Sequence, residues 1–183
     1  MPAFSIPPPA NNVSGAMIRA GVALGSNLGE RLANLRNARN DIAKLTGVFP
    51  PMYSSALYET KPVNCEPGAA NFLNTALEFS FAGEPLSLLR GLAMIEKLLG
   101  RPSDHAKNVS RVIDLDLLYF GALEVESMEL RLPHPRIAER EFVMRPLADV
   151  RPDLILPQQT QTVSELLDRI QDAGAVVRIA LEW

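Results

Sequence analysis

At 183 residues, with 47% hydrophobic and 21% charged side chains, the chain can bury one core of its own and has the composition of a soluble globular protein. A formal net charge of −3 argues against nucleic acid as the main partner, because phosphate backbones call for a basic surface; it leaves room for a small phosphorylated ligand held by a local cluster of cations. Cys65 is the one cysteine, so no intrachain disulfide can form and a reducing, cytoplasmic setting is expected; no apolar run reaches the length of a membrane span.

The chain opens with MPAFSIPPPANNVSG, which has neither the basic nor the apolar region of a secretory signal. Its proline triplet predicts a flexible arm over residues 1–16, with a single domain over 17–183. IRAGVAL (18–24) reads as a strand. In the segment that follows, Leu28, Leu32, Leu35, Ala38, Ile42 and Leu45 recur at helical steps, with Ser26 or Asn27 as the expected cap and Gly47 as the stop. MYSSALYET (52–60) and NFLNTALEFSF (71–81) read as strands, the second alternating cleanly between faces. A second helix is expected over 84–100, with Pro85 in its first turn and Gly100 ending it. SRVIDLDLLYFG (110–121) reads as a fourth strand, and the proline-marked stretch 132–147 as loop. The capping box TVSE starts a last helix expected to end at Gly174, and VVRIAL (176–181) reads as a closing strand. Strand–helix–strand–strand–helix–strand is the order of an α+β, ferredoxin-like split βαβ sandwich, here with C-terminal additions.

Chemistry concentrates in the fourth strand. Asp114 and Asp116 stand two residues apart, so they share a face with α-carbons about 6.6 Å apart. Adjacent carboxylates repel unless a cation lies between them, and Mg²⁺ suits such a pair, filling its other positions with water and substrate phosphates. A merely wetted acidic face explains the same residues equally well. Arg111, with His105 and Lys107 upstream, and His134, Arg136 and Arg140 downstream, supply cations of the kind that hold polyphosphate, or ordinary surface charge. Phe72 and Phe142 are candidates for stacking on a flat ring, or for the core. GSNLG (25–29) is a tight strand-to-helix turn whose free amides could meet an anion, but it is too degenerate to be a phosphate loop, and the chain has no G-x-x-x-x-G-K-[ST] motif.

Taken in order, ALGSNLGERLANL, LYETKPV, NFLNTALEF, IEKLLGR, RVIDLDLLYFG, LPHPR and REFVMRPLADVRPDLILP resemble the 6-hydroxymethyl-7,8-dihydropterin pyrophosphokinase family of folate biosynthesis, over roughly residues 18 to 157. The resemblance implies a ferredoxin-like fold and transfer of the β,γ-diphosphate of ATP to the pterin hydroxymethyl group, releasing AMP, with two Mg²⁺ ions. It implies that Asp114 and Asp116 hold the magnesium ions, that Thr60 and Asn74 hydrogen-bond the pterin edge, and that Phe72 and Phe142 sandwich its ring. It places Glu96, Arg101, Arg111, His134 and Arg140 at the ATP and diphosphate site, Arg111 and Arg140 stabilising charge on the transferring group. The expected partners are therefore ATP and the pterin, with no nucleic acid and no membrane, in a monomer. The chain departs from the family where Asn108, Val109 and Ser110 replace a tryptophan-glycine-proline run before Arg111, where Ser103 replaces an arginine, and where Lys61 replaces a common proline; Lys107 or His105 are candidates to restore the lost cation. These changes fall in a segment that acts as a lid in the family, and they motivate an alternative in which the chain binds nucleotide or pterin with little or no transfer.

Overall fold

Alternation along the first strand decides how the molecule is layered. The computed structural model describes residues 16–62, 66–101, 110–170 and 176–183. In it β1 (Ile18–Ser26) turns Ala20, Val22 and Leu24 to one face and Gly21, Ala23 and Gly25 to the other. The first face is covered by α1 (Arg31–Ala43) and α2 (Pro85–Leu98). Leu35, Ala38 and Ile42 of α1 and Leu88, Leu92 and Ile95 of α2, each spaced three or four apart, form its buried core with the strand residues.

Both edges of β1 are paired. On one side β4 (Phe72–Phe81) runs antiparallel from Ile18↔Phe81 to Ser26↔Leu73, and on the other β5 (Asp114–Phe120) runs antiparallel from Ala20↔Phe120 to Gly25↔Asp114. Beyond β4 lie β2 (Val48–Ser54) and β3 (Leu57–Thr60), and β8 (Val176–Ala180) pairs with β3. The sheet order is β5–β1–β4–β3–β8, with β2 also on β4. A two-stranded ribbon, β6 (Val125–Glu126) with β7 (Arg131–Leu132), pairs separately and packs Leu132 into the same core.

The second face of the sheet is only half covered. α3 (Glu141–Val150) lies over it with Val143, Met144 and Leu147 against Leu118 and Tyr119, and α4 (Val163–Leu167) adds Val163 to the same cluster. Beneath α3 the fully buried Glu78 accepts hydrogen bonds from Tyr119 Oη (2.9 Å) and Arg151 Nη1 (2.5 Å), with Arg19 Nη2 at 3.5 Å. Burial and the Glu78 carboxylate hold the Tyr119 phenol protonated well above its ordinary range. Tyr119 reaches Glu78 across Gly21, where an added Cβ would stand 2.1 Å from the ring, so only glycine admits it. The other end of this face, around Gly25, is left open. The architecture is thus mixed α and β, with an antiparallel sheet between two helical layers.

Four sequence expectations change. Residues 132–147 do not form a loop throughout: after a 3₁₀ turn at Ile137–Glu139, Glu141–Val150 is helical despite Pro146 inside it. Burial of Val143, Met144, Pro146 and Leu147 outweighs the hydrogen bond that proline removes. Residues 52–60 belong to two strands, broken at Ser55 and Ala56, where Ser55 Oγ meets Thr75 Oγ1 (2.9 Å) and accepts from the Ala76 amide (2.9 Å). Neither Ser26 nor Asn27 caps α1; its N-cap is Glu30, without a side-chain cap. The helix begun by the Thr162–Glu165 capping box ends at Leu167, while its expected stop, Gly174, lies outside the described residues. The expected arm (but for Ala16), Cys65, Ser103, His105, Lys107, Asn108 and Val109 also lie outside them. Among the described residues, no helix is long and apolar enough to cross a membrane.

Candidate active site

Strand register builds the floor of the open half-face. Antiparallel partners point the same way, so one row across the sheet reads Asp114–Gly25–Asn74–Tyr58 and the next Asp116–Ala23–Ala76. Glycine and alanine at the centre of β1 leave room above them. A Cβ on Gly25 would lie 3.1 Å from Asn74 Oδ1. The result is a pocket of about 340 Å³, walled by Phe72 from β4, by Phe142 from α3 and by the His134–Arg140 segment. Of the residues predicted from sequence, Thr60, Phe72, Asn74, Arg101, Arg111, Asp114, Asp116, His134, Arg140 and Phe142 all line it. Glu96 sits one layer behind.

Chemistry divides between the two ends of the pocket. At the acidic end, Asp114 Oδ1 accepts from Arg101 Nη1 (2.6 Å) and its Oδ2 from Arg111 Nη1 (2.9 Å). Arg101 reaches it because Gly100, at φ +97°, ends α2: the Gly100 amide donates to Lys97 O and the Arg101 amide to Glu96 O, which folds Arg101 back over the helix end. There Glu96 Oε1 takes a short bond from Arg101 and accepts from the Leu115 amide (2.7 Å), tying α2 to β5. Burial pushes Glu96 up, against the opposing pull of that amide and of Arg101. Asp116 has a more distant cation, Arg140 Nη1 at 3.8 Å. Burial first, and then the neighbouring Asp114 carboxylate, hold Asp116 above the usual carboxylate range, with His134 and Arg140 pulling the other way. The His134 amide donates to Leu118 O (2.8 Å), and His134 Nδ1 accepts from the Arg136 amide (3.2 Å). Its ring proton is thereby assigned to Nε2, and burial pushes the imidazole below its ordinary value.

At the other end, Asn74 Nδ2 donates to Thr60 Oγ1 (2.8 Å), which leaves Asn74 Oδ1 turned toward Gly25. Phe72 and Phe142 contribute the aromatic surface there, and Arg140 lies 5.6 Å from the centre of the Phe142 ring. This end has the donors, acceptors and aromatic rings that a flat heterocycle requires.

Sequence reading missed three contributors. Ala23 and Gly25 give the site its depth, and nothing marks a small residue in a strand as a floor until the register is known. Asn27, expected as a cap, is 2% exposed and works as a clamp. Its Oδ1 accepts from the Arg111 amide (2.7 Å), and its Nδ2 donates to Ser110 Oγ (3.0 Å) and Ala70 O (3.1 Å). The GSNLG turn is therefore a fastening for the residues entering β5, with the Asn27 amide donating to Arg111 O (3.1 Å). Ser110, one of the departures from the family pattern, is held by this clamp and by Glu66, whose Oε1 accepts from its amide (3.0 Å).

A Mg²⁺ ion fits the acidic end. Asp114 and Asp116 are hard oxygen donors on adjacent rungs of one face, in a pocket open to phosphate and water. Both Asp114 oxygens already accept from arginine, yet each carboxylate retains lone pairs for further contacts. Among the described residues no third carboxylate, histidine or cysteine joins the pair, so the other positions of a bound ion would fall to substrate and water.

The family model for 7,8-dihydro-6-hydroxymethylpterin-pyrophosphokinase (HPPK) matches residues 21–152. The chain is 40% identical over 129 residues to the 2-amino-4-hydroxy-6-hydroxymethyldihydropteridine pyrophosphokinase of Bacillus subtilis, covering 70% of this chain and 75% of that one. It is 32% identical over 159 residues to the protein of the same name from Synechocystis, covering 87% and 79%. It also matches the folic acid synthesis protein fol1 of Schizosaccharomyces pombe at 34% identity over 153 residues; that alignment takes in 84% of this chain and 20% of that protein, so the chain spans about a fifth of its length. The solved Plasmodium falciparum HPPK-DHPS, wild type with pterin and p-hydroxybenzoate, has the same fold at a TM-score of 0.65 and 16% identity, over 85% of this chain and 43% of that one. On the family match and these relatives, the chain belongs to the 7,8-dihydro-6-hydroxymethylpterin pyrophosphokinase family.

Proposed function

We propose that the chain transfers the diphosphate of ATP to the hydroxymethyl oxygen of 6-hydroxymethyl-7,8-dihydropterin, giving AMP and the pterin diphosphate. The observation that carries this reading is one pocket with two chemistries: an Asp pair ringed by arginines at one end, and Thr60, Asn74 and two phenylalanines at the other. The relatives named as pyrophosphokinases favour transfer over binding alone.

In this reading Asp114 and Asp116 hold two Mg²⁺ ions. When bound, the ions would neutralise phosphate charge and help set the pterin hydroxyl oxygen in line with the β-phosphorus. The chain's own residues do the rest. Phe72 and Phe142 take the pterin ring between them, while Asn74 and Thr60 hydrogen-bond its edge and fix its rotation. Arg101 and Arg111, which pair with Asp114, turn to phosphate oxygens when nucleotide binds, and Glu96 keeps Arg101 at the pocket wall. Arg140 stabilises charge on the group in transfer, and His134 offers its Nε2 proton to a phosphate oxygen. The finer fold description, a ferredoxin-like split βαβ core, is supported by the antiparallel order β5–β1–β4–β3. A single domain over 17–183, a monomeric state and a cytoplasmic location belong to the same proposal.

The test is incubation with ATP, Mg²⁺ and the pterin, with AMP as the readout. Wild-type chain should form AMP only when all three are present. Asp116→Asn should lose turnover by about a hundredfold or more while keeping its melting temperature, since the carboxylate serves ligand rather than core. Near-normal AMP formation by that variant would remove Asp116 from the metal site.

A further inference from the structure

β3 is four residues long, yet it carries Thr60, and its pairing with β4 spans only Tyr58↔Asn74 to Thr60↔Phe72. Three paired residues give β3 few ladder hydrogen bonds to β4. Residues 176–183, beyond the span of the family model, add support from several directions. β8 covers the outer edge of β3, with Val176 opposite Thr60 and Arg178 opposite Tyr58. On the pocket side, Asp149 of α3 gathers the two strands: its Oδ2 accepts from Tyr58 Oη (2.9 Å) and the Ala56 amide (3.1 Å), and Arg178 Nη2 lies 3.6 Å away. On the helix side, Trp183 Nε1 donates to Ser55 O (2.9 Å), at the break that precedes β3. Arg39 of α1 stacks 4.4 Å from the centre of the Trp183 ring and donates to its main-chain oxygen.

Resting on the pyrophosphokinase reading, we propose that residues 176–183 form a strap that positions Thr60, with Trp183 and Arg178 as positioning residues for the pterin alone. Thr60, Phe72 and Val176 form one rung across three strands, and Asn74 sets its amide by donating to Thr60 Oγ1. Slack in β3 therefore shifts both groups that meet the pterin edge. Asp114 and Asp116 lie on β5, at the opposite edge of the sheet from β8, with β1, β4 and β3 between them. The ATP end is thus insulated from the strap.

Trp183→Ala, Trp183→Phe and Arg178→Ala test this in the full chain. Titration calorimetry should show the pterin Kd raised about tenfold in Trp183→Ala and Arg178→Ala, with the Kd of a non-hydrolysable ATP analogue and kcat at saturating pterin within about twofold of wild type. Trp183→Phe keeps a ring for Arg39 but loses the N–H to Ser55, and should fall between. Hydrogen exchange at the Tyr58 and Thr60 amides should speed up in the same order, a readout independent of turnover. Pterin and ATP affinities that fall together, or a pterin Kd that does not move, overturn the strap while leaving the wild-type reaction standing. A wild-type chain that forms no AMP overturns the pyrophosphokinase reading and the strap's role with it.

Discussion

Gly25 shows how much one side chain, or the lack of one, decides in this site. It sits between Asp114 on one neighbouring strand and Asn74 on the other, so a ligand spanning the two ends of the pocket must lie over it. Gly25→Val would put its Cβ 3.1 Å from Asn74 Oδ1 and its methyl groups into the open space above. Valine suits a strand, and the Cβ presses on the pocket wall, where Asn74 must give by a few tenths of an ångström. The expected outcome is a pterin KM raised about tenfold or more with only a small fall in melting temperature. Steady-state kinetics beside a thermal melt check it, and unaltered pterin KM would show that the ligand does not cross this floor. Asp114 and Asp116 are legible from sequence because their spacing alone puts them on one face. Gly25 is not, because its role depends on two strands that lie far away in the chain.

The β1–α1 turn works at the scale of an element. Asn27 holds the approach to β5 through the Arg111 amide and Ser110, and the approach to β4 through Ala70 O. Asn27→Ala leaves these buried groups without their partner, which costs about 1–3 kcal/mol and is measurable by urea unfolding. The functional loss should be unequal. Arg111 pairs with Asp114 at the acidic end, and on the proposed reading that end takes phosphate, so ATP affinity should fall about tenfold while pterin affinity changes little. Equal losses in a calorimetric titration of both ligands would mean that Asn27 merely supports the fold. The helices α1 and α2 and the strands β1, β4 and β5 were readable from periodicity, since burial on one face imprints itself every two or every three to four residues. α3 was not: Pro146 within it, and Pro133 and Pro135 just upstream, carry the local signal of a loop, and only burial against Leu118 and Tyr119 makes a helix there.

At the scale of the molecule, Glu78 joins what the sheet separates. It is buried on β4, and its partners come from β5 (Tyr119), from the end of α3 (Arg151) and from β1 (Arg19). Arg151→Ala strands a buried carboxylate with weaker partners, and we expect a loss of about 3 kcal/mol in urea unfolding. Glu78→Gln instead removes the buried charge and leaves two arginines that are each about a third exposed, at 34% and 30%. Its loss should be smaller, about 1–2 kcal/mol. The reverse order would mean that the arginines, not the carboxylate, carry the cost. Such a cluster fixes α3 over one half of the sheet face and so leaves the other half open as the pocket.

The sequence by itself determined the carboxylate pair, the aromatic and cationic residues around it, the order of the main elements and the family resemblance, since each rests on local spacing or on motifs in order along the chain. Tertiary structure alone decided that Ala23 and Gly25 are a floor, that Asn27 is a clamp, that Glu141–Val150 is a helix and that residues 176–183 brace the strand carrying Thr60. The physical reason is common to all four. A residue's role here depends on partners tens of residues away, and only pairing register and burial bring those partners together.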